Sequence, residues 1–441
     1  MKEAIQFEFT SKQKNLLFGF MGLGILCMII IFFTDDALAP RFWSNFLLNS
    51  VFFTGISFIA LFSIASMVTA YSGWQAVFKR VWEAYAQFLI VGLILMVIII
   101  IGMFGGFHHL YHWADADSVA ADEILQGKSS FLNKGLYTAV TIITLGVWYF
   151  FARKMRDLSI EEDQLAIGDF SAYRQIKKYS AAFLPIAAVT SAMVVWLWVM
   201  SLNAHWYSTL FAWYATSSWF VAMLSMTILT LIYLKSVGYF SKVSVEHFHD
   251  LGKFLFGFSI FWTYLWFSQY MLIWYGNVGE ETIYFHDQRT NYPVLFYGNL
   301  VVNFVVPFFI LLRNDTKRKV GTLVLTSAVV FIGHWMDFFL MIKPGVLHTY
   351  HEIMGHGGGG HAVLDNMAGQ SAKLVADAGG HGAEAVSTFV NGFTFPGLLD
   401  VGVFLGFLAF FLYFVLVQLA KTRLEPVGDP YIGESIHHHV I

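Results

Sequence analysis

Residues 82–104 read WEAYAQFLIVGLILMVIIIIGMF, and this run decides the fold. Past Glu83 it holds no charge, and as a helix rising 1.5 Å per residue it is about 35 Å long, enough to cross a hydrocarbon core of about 30 Å. No water reaches backbone groups in such a core, so an isolated run of this kind must bond its own amides and carbonyls as a helix. Nine more stretches of the same character flank it, at 15–33, 43–71, 131–152, 179–201, 208–234, 250–275, 293–312, 320–342 and 396–420. Together the ten take up 237 of the 441 residues. The expected fold is an all-α integral membrane protein with about ten transmembrane helices.

Composition agrees and removes several classes of function. With 57% hydrophobic, 18% aromatic and 12% charged residues, the chain lies far from the roughly 25% charge of a water-soluble globule. A net charge of −3 with no basic stripe leaves no surface for nucleic acid. The single cysteine, Cys27, excludes a disulfide within the chain and any thiolate-bound metal or cluster. The lead-in MKEAIQFEFTSKQK at 1–14 has no small-residue cleavage site, so the first helix is expected to be retained.

Lysine and arginine set the orientation. The termini and even-numbered loops, with Lys253 just inside span seven, hold 20 of the 26, which predicts both ends on the cytoplasmic side. Trp43, Tyr111, Trp113, Trp206, Tyr207, Trp274, Tyr275, Tyr284 and Tyr292 crowd the outer ends of the spans, as interfacial anchors do. Spans two to five (43–201) and six to nine (208–342) start in the same direction, so two four-helix bundles with spans one and ten at the periphery are expected. A Gly/His-rich periplasmic loop at 343–395 and a cytoplasmic tail at 421–441 complete the plan. That loop, with GHGGGGH and GGHG, and the loop at 105–130, beginning GGFHHLYHW, are poor in core-forming residues and are expected to need a partner surface for order.

Charges inside the spans are the candidates for chemistry. Glu83, Asp250 and Lys253 lie in first turns, where solvated helix ends are expected. Asp400 is about one turn inside the outer end of span ten, where snorkelling would serve it. Asp337 is the deepest acid, in FIGHWMDFFLMI at 331–342, and His334 precedes it by three residues on the same helix face. An intramembrane acid beside a histidine is a proton site by default, with a structural interhelical pair as the plainer alternative. A quinone headgroup needs donors for two carbonyl oxygens and an acceptor for protons. His205, Gln269, Tyr270, His334 and Asp337 supply these types if their helices converge.

The outer-loop histidines 108, 109, 112, 348, 351, 356, 361 and 381 have weak metal spacings, so no metal is assigned and solvent- or partner-facing roles are expected. His437, His438 and His439 are read as native and without function. Transmembrane haem needs two facing axial histidines, and only His334 lies well inside a span, so haem is not expected on this chain. P-loop, kinase and nucleophile-elbow motifs are absent from the sequence.

Four segments carry a resemblance: SLNAHWYSTLFAWY (201–214), FWTYLWFSQYMLIWYGNVGEETIYF (261–285), VVPFFILLRNDTKRK (305–319) and GHWMDFF (333–339). They resemble the membrane subunits of bacterial alternative complex III, a quinol:cytochrome c oxidoreductase, within the wider NrfD-like group. The tail DPYIGESIHHH (429–439) resembles the end of the smaller of the two homologous subunits. The resemblance implies a multi-pass protein of the bacterial inner membrane. Its implied partners are a larger NrfD-like homologue, a periplasmic iron–sulfur protein, multihaem c-type cytochromes, other small membrane subunits and a haem–copper oxidase, in the lipid bilayer. Iron–sulfur clusters and haems c would belong to those partners. The larger homologue would lie under the iron–sulfur protein and hold the working quinol site, while the smaller would serve assembly and a proton path.

Carried over by motif are His205 (HWYST), Gln269 and Tyr270 (FSQY), Glu280 and Glu281 (EET), and His334 and Asp337 (HWMDFF), with Gly279 standing where the pattern has proline. Asp400 joins them as a proton-path candidate by its position alone. The expected function is a non-haem membrane subunit of a quinol-oxidising complex, contributing assembly and a periplasm-side quinone pocket or proton pathway. The alternatives are a proton-coupled secondary transporter and a purely structural anchor. Transporters usually break paired spans near the midplane, and here the internal breakers are Pro307 and Pro185.

Overall fold

The computed structural model describes residues 6–36, 38–166, 168–356 and 390–439, and of residues 354–356 only the backbone. The long helices are α1 (Ser11–Thr34), α2 (Pro40–Thr69), α3 (Lys79–Ala86) followed by α4 (Leu89–Phe104), and, past short α5 (Ala116–Ala121) and α6 (Glu123–Lys128), α7 (Lys134–Glu162) and α8 (Ser171–Trp198). Then come α9 (Leu210–Ser236), α10 (Val245–Gly276), α11 (Gly279–Asn291), α12 (Pro293–Leu300) joined by a π turn to α13 (Val306–Leu311), α14 (Val320–His356), α15 (Leu398–Ala420) and short α16 (Ile432–Ile436). Among the described residues no β-strand forms. Nine helical segments there are long and apolar enough to cross a membrane. The tenth expected span is α10, whose Trp262, Tyr264, Trp266, Gln269, Tyr270 and Trp274 depress its mean hydropathy. Its 32 residues still reach about 48 Å. The molecule is an all-α, multi-pass membrane protein.

Local chemistry sets the helix ends. Thr10 and Gln13 form a reciprocal capping box at α1. Pro40 opens α2 at its first turn, where a missing N–H costs nothing. Asp115, Asp122 and Asn133 accept backbone N–H groups at the starts of α5, α6 and α7. Exposed Leu16, Ile25, Phe33, Ile94, Ile101, Ile143 and Phe309 face outward, a surface that suits lipid and not water.

α2 sits at the centre, against α3, α4, α8, α9 and α14. Its buried Asn45, Asn49, Ser50, Thr54 and Ser57 face neighbouring helices, so they read as core. Gly55 lets the Trp219 indole of α9 lie where a Cβ would come within 1.9 Å. That ring then stacks on Phe338 of α14, with centroids 5.4 Å apart. α2, α9 and α14 are thereby fixed around one interior, and α10 packs against α9. α1 is peripheral and pairs with α15, where Gly24 meets Gly406 and Cys27 meets Gly402.

Both ends of the described chain lie on one face, since Gln6 pairs with Arg423 and donates to the Ala420 carbonyl. This terminal face carries a buried ion network. Lys79 bonds Glu162 at 3.0 Å and also Asp429, while Arg80 bonds Glu83 at 2.8 Å and Asp163 at 2.6 Å. Glu83 and Asp250 are therefore not the solvated helix ends expected: Glu83 is buried beside Arg80, and Asp250 bonds Lys253 (2.8 Å) and His438 (2.6 Å). His438 thus has a structural partner where no role was expected.

On the opposite face, the loop after α4 folds onto its own chain. Tyr111 reaches Tyr137 (3.0 Å) and the Trp198 carbonyl (2.9 Å), and His108, Trp113 and Leu125 are buried. Its aromatics supply the core its glycines cannot, so this loop packs against its own chain. α14 runs on to His356, past the expected end at 342, as buried Lys343 is paired within the protein. Most of the Gly/His-rich stretch, with His361 and His381, lies outside the described residues.

Candidate functional site

Asp337 on α14 has no solvent exposure, and three other segments aim donors at it. Its Oδ1 accepts from the Tyr214 hydroxyl of α9 and from the Asn299 amide of α12 at 3.2 Å. Its Oδ2 accepts from the Trp262 indole N–H of α10 at 2.9 Å. One turn earlier, fully buried His334 places Nδ1 at 2.8 Å from Ser218 Oγ and 4.0 Å from Asp337 Oδ2. The pairing is regular: Tyr214 and Ser218 are one turn apart on α9, as His334 and Asp337 are on α14.

The sequence around each donor explains its place. The π turn Val301–Val305 widens the helix between α12 and α13, and Gly333 of α14 lets it close in: a Cβ there would lie 2.1 Å from Asn303 Oδ1. Asn303 in turn donates to Asn299 Oδ1 at 3.4 Å, setting which way that amide points. Trp262 stands edge-on to the His334 ring, 5.4 Å between centroids, which closes the site from the α10 side. His334 Nε2 is buried with no hydrogen-bond partner.

Among the described residues, no lysine or arginine lies within ion-pair distance of Asp337; its one such neighbour is His334. Neutral donors alone hold the carboxyl. The arrangement can keep one proton on either the carboxyl or the imidazole, and a movement of about 1 Å brings the two groups to hydrogen-bonding distance.

The other expected site residues are distributed. Gln269 is buried on α10, two turns beyond Trp262, with its Nε2 unpartnered. Tyr270 stacks on Trp266 and borders an open groove between α10 and α11 with Ile273, Trp274, Phe285, His286 and Arg289. Glu280 and Glu281 occupy the first turn of α11, where a helix N-terminus favours acids. Asp400 does not snorkel. It is fully buried, bonded by Arg41 (2.6 Å), Asn45 (2.6 Å) and the Gly397 amide (2.8 Å), with Lys343 Nζ at 3.7 Å.

His205 is not among the groups bonded to Asp337; it bonds Asp122 of the folded outer loop. His112 packs beside it, with ring centroids 5.8 Å apart. Burial pushes the Asp122 carboxyl up, but the bond from His205 and the Leu125 and Ile124 amides outweigh this and leave it below the usual carboxylate range. Burial holds the His112 imidazole below its usual value despite nearby Glu352.

No protein-family model matches the chain, and no curated protein matches it in sequence.

Tyr214, Ser218, Trp262, Asn299 and Asn303 do not stand out in the sequence. The usable signal was spacing, since 214/218 and 299/303 each put two polar groups on one face of an apolar helix.

Proposed function

We propose that this chain is an integral subunit of a quinol-oxidising respiratory complex in a bacterial inner membrane, in which Asp337 and His334 take up and release protons. One observation carries the reading: a fully buried carboxyl, held by neutral donors from three neighbouring segments, faces a buried histidine with a free nitrogen. A structural polar contact needs no second titratable group beside it, whereas a proton relay does. The groove at Tyr270, with aromatic walls and the polar ends of His286 and Arg289, suits a quinone headgroup at the membrane boundary. The resemblance of the HWYST, FSQY, EET and HWMDFF segments to alternative complex III membrane subunits supports the redox setting, with iron–sulfur and haem cofactors on partner chains.

The test is Asp337→Asn in the assembled complex. Asparagine keeps the shape but carries no titratable proton, so quinol:cytochrome c turnover and proton release should fall about tenfold or more while the iron–sulfur and multihaem partners still co-purify. Wild-type turnover and proton release in an assembled variant would sink the proton role. A homogeneous preparation of this chain with no redox partner would sink the complex and favour a proton-coupled transporter.

A further inference from the structure

We propose that the face opposite the termini carries a divalent transition-metal site of the zinc class, formed by His112, Asp122 and His205 and closed by Glu352. One ligand atom from each of the first three lies within 4.8 Å of the other two. They come from separate segments: His112 from the turn before α5, Asp122 from the cap of α6, and His205 from the link between α8 and α9. Glu352, near the end of α14, adds a fourth, with Oε2 3.2 Å from His112 Nδ1. Ligand atoms on a tetrahedral zinc with bonds of 2.0–2.1 Å stand roughly 3.3 Å apart, so that edge already has the required length. Asp122 and His205 are in direct contact. Among the first three, the longest edge contracts by at most about 1.5 Å to reach that spacing, and the Glu352 side chain turns toward the other two. The side chains that would turn are partly open, Asp122 at 22% and His205 at 37% exposure.

His112 separates this cluster from an ordinary set of surface ion pairs. It is 5% exposed, and neither ring nitrogen makes a hydrogen bond although acids stand on either side of it. Buried Glu352 Oε2 is likewise without a hydrogen bond, although His348 Nδ1 stands 3.3 Å from it. A cation bound between these groups would satisfy them together. Two imidazoles with two carboxylates select zinc, cobalt or nickel over calcium or magnesium, which prefer all-oxygen shells. His348, beside the same Glu352 oxygen, is placed to orient that carboxylate, as outer partners of metal ligands do. The site would tie the outer loop, the α8–α9 link and α14 into one unit. This inference does not depend on the proton role of Asp337.

The experiment strips the purified, full-length protein with chelator and returns Zn²⁺ as the probe. Metal content is counted by mass spectrometry, and the melting midpoint is followed against free Zn²⁺. Other histidines can also take zinc, so the reading is a difference. Wild type should hold one more Zn²⁺ per chain than His112→Asn or His205→Gln, and zinc should raise its midpoint but not theirs. Glu352→Gln should weaken that site about tenfold or more. His205 is partly exposed, so His205→Gln keeps the test informative if His112→Asn does not fold. Equal zinc content and an equal midpoint shift in wild type and His205→Gln would overturn the proposal.

Discussion

His108 follows the end of α4 by four residues and is 4% exposed. Its Nε2 lies 2.9 Å from the Ile99 carbonyl, and its Nδ1 accepts from the Leu110 amide at 3.4 Å. The ring closes the helix end as a neutral group. Burial, helped slightly by His109 and Lys134, holds its pKa at about 4, against 6.5 for a free imidazole. Between these values the unfolded chain binds the proton and the folded one does not, so stability rises with pH there and is lost on acidification from pH 7. For one such group the loss between pH 7 and pH 5 is about 2 kcal/mol. His108→Gln, which can still donate to Ile99, should melt with a shallower acid slope than wild type. An unchanged slope would exclude His108 as its source. In the sequence this histidine was one of several in a glycine-containing loop, and nothing local distinguished it from partner-facing neighbours. Asp337 and His334 were legible because acids are so rare in the spans. Their donors were not, because Tyr214, Trp262 and Asn299 meet only through tertiary packing.

Helix α15 shows what a glycine spacing can hold without hydrophobic drive, since lipid is as apolar as the helices it surrounds. Gly402 and Gly406 lie one turn apart and face α1, but a methyl group at each would meet different atoms. At 406 it would lie 2.6 Å from the Gly24 Cα, and at 402 it would lie 2.4 Å from the Cys27 sulfur. Backbone cannot yield as a side-chain end can. Gly406→Ala should therefore cost about 1–3 kcal/mol, and Gly402→Ala clearly less. Thermal melts in one detergent order the two, and equal or reversed losses would show that α1 does not rely on this contact. Span positions were read well because apolar length is a one-dimensional signal. Their ends were read less well where a charge was paired inside the protein. Lys343 marked an apparent exit from the membrane, yet it is fully buried between Asp400 and the rings of Phe339 and Phe393, and α14 continues past it.

Across the whole molecule, the last described segment fastens the terminal face. Asp163 Oδ1 accepts the Val427 and Gly428 amides, and Gly428 passes so close to the Glu162 carbonyl that a Cβ would lie 2.1 Å from it. Ser435 accepts from the Val77 amide and donates to the Trp74 carbonyl at 2.7 Å, while His438 bonds Asp250. These contacts link α7, the start of α3, and α10 through a stretch of about twenty residues that composition alone marks only as a polar tail. At their centre Lys79 stands between the buried carboxylates of Glu162 and Asp429. Removing the cation leaves two acids facing each other with little water, the case in which breaking a buried pair is costly. Lys79→Met, which keeps the stem's apolar volume, should destabilise the protein by about 3–5 kcal/mol and release the segment after Ala420 to protease before the spans unfold. Adding Asp429→Asn should recover part of the loss, because one of the two stranded charges is removed. A Lys79→Met protein that melts like wild type and resists cleavage equally would mean that backbone contacts through Gly428 and Ser435 fasten the segment and that the ions are incidental.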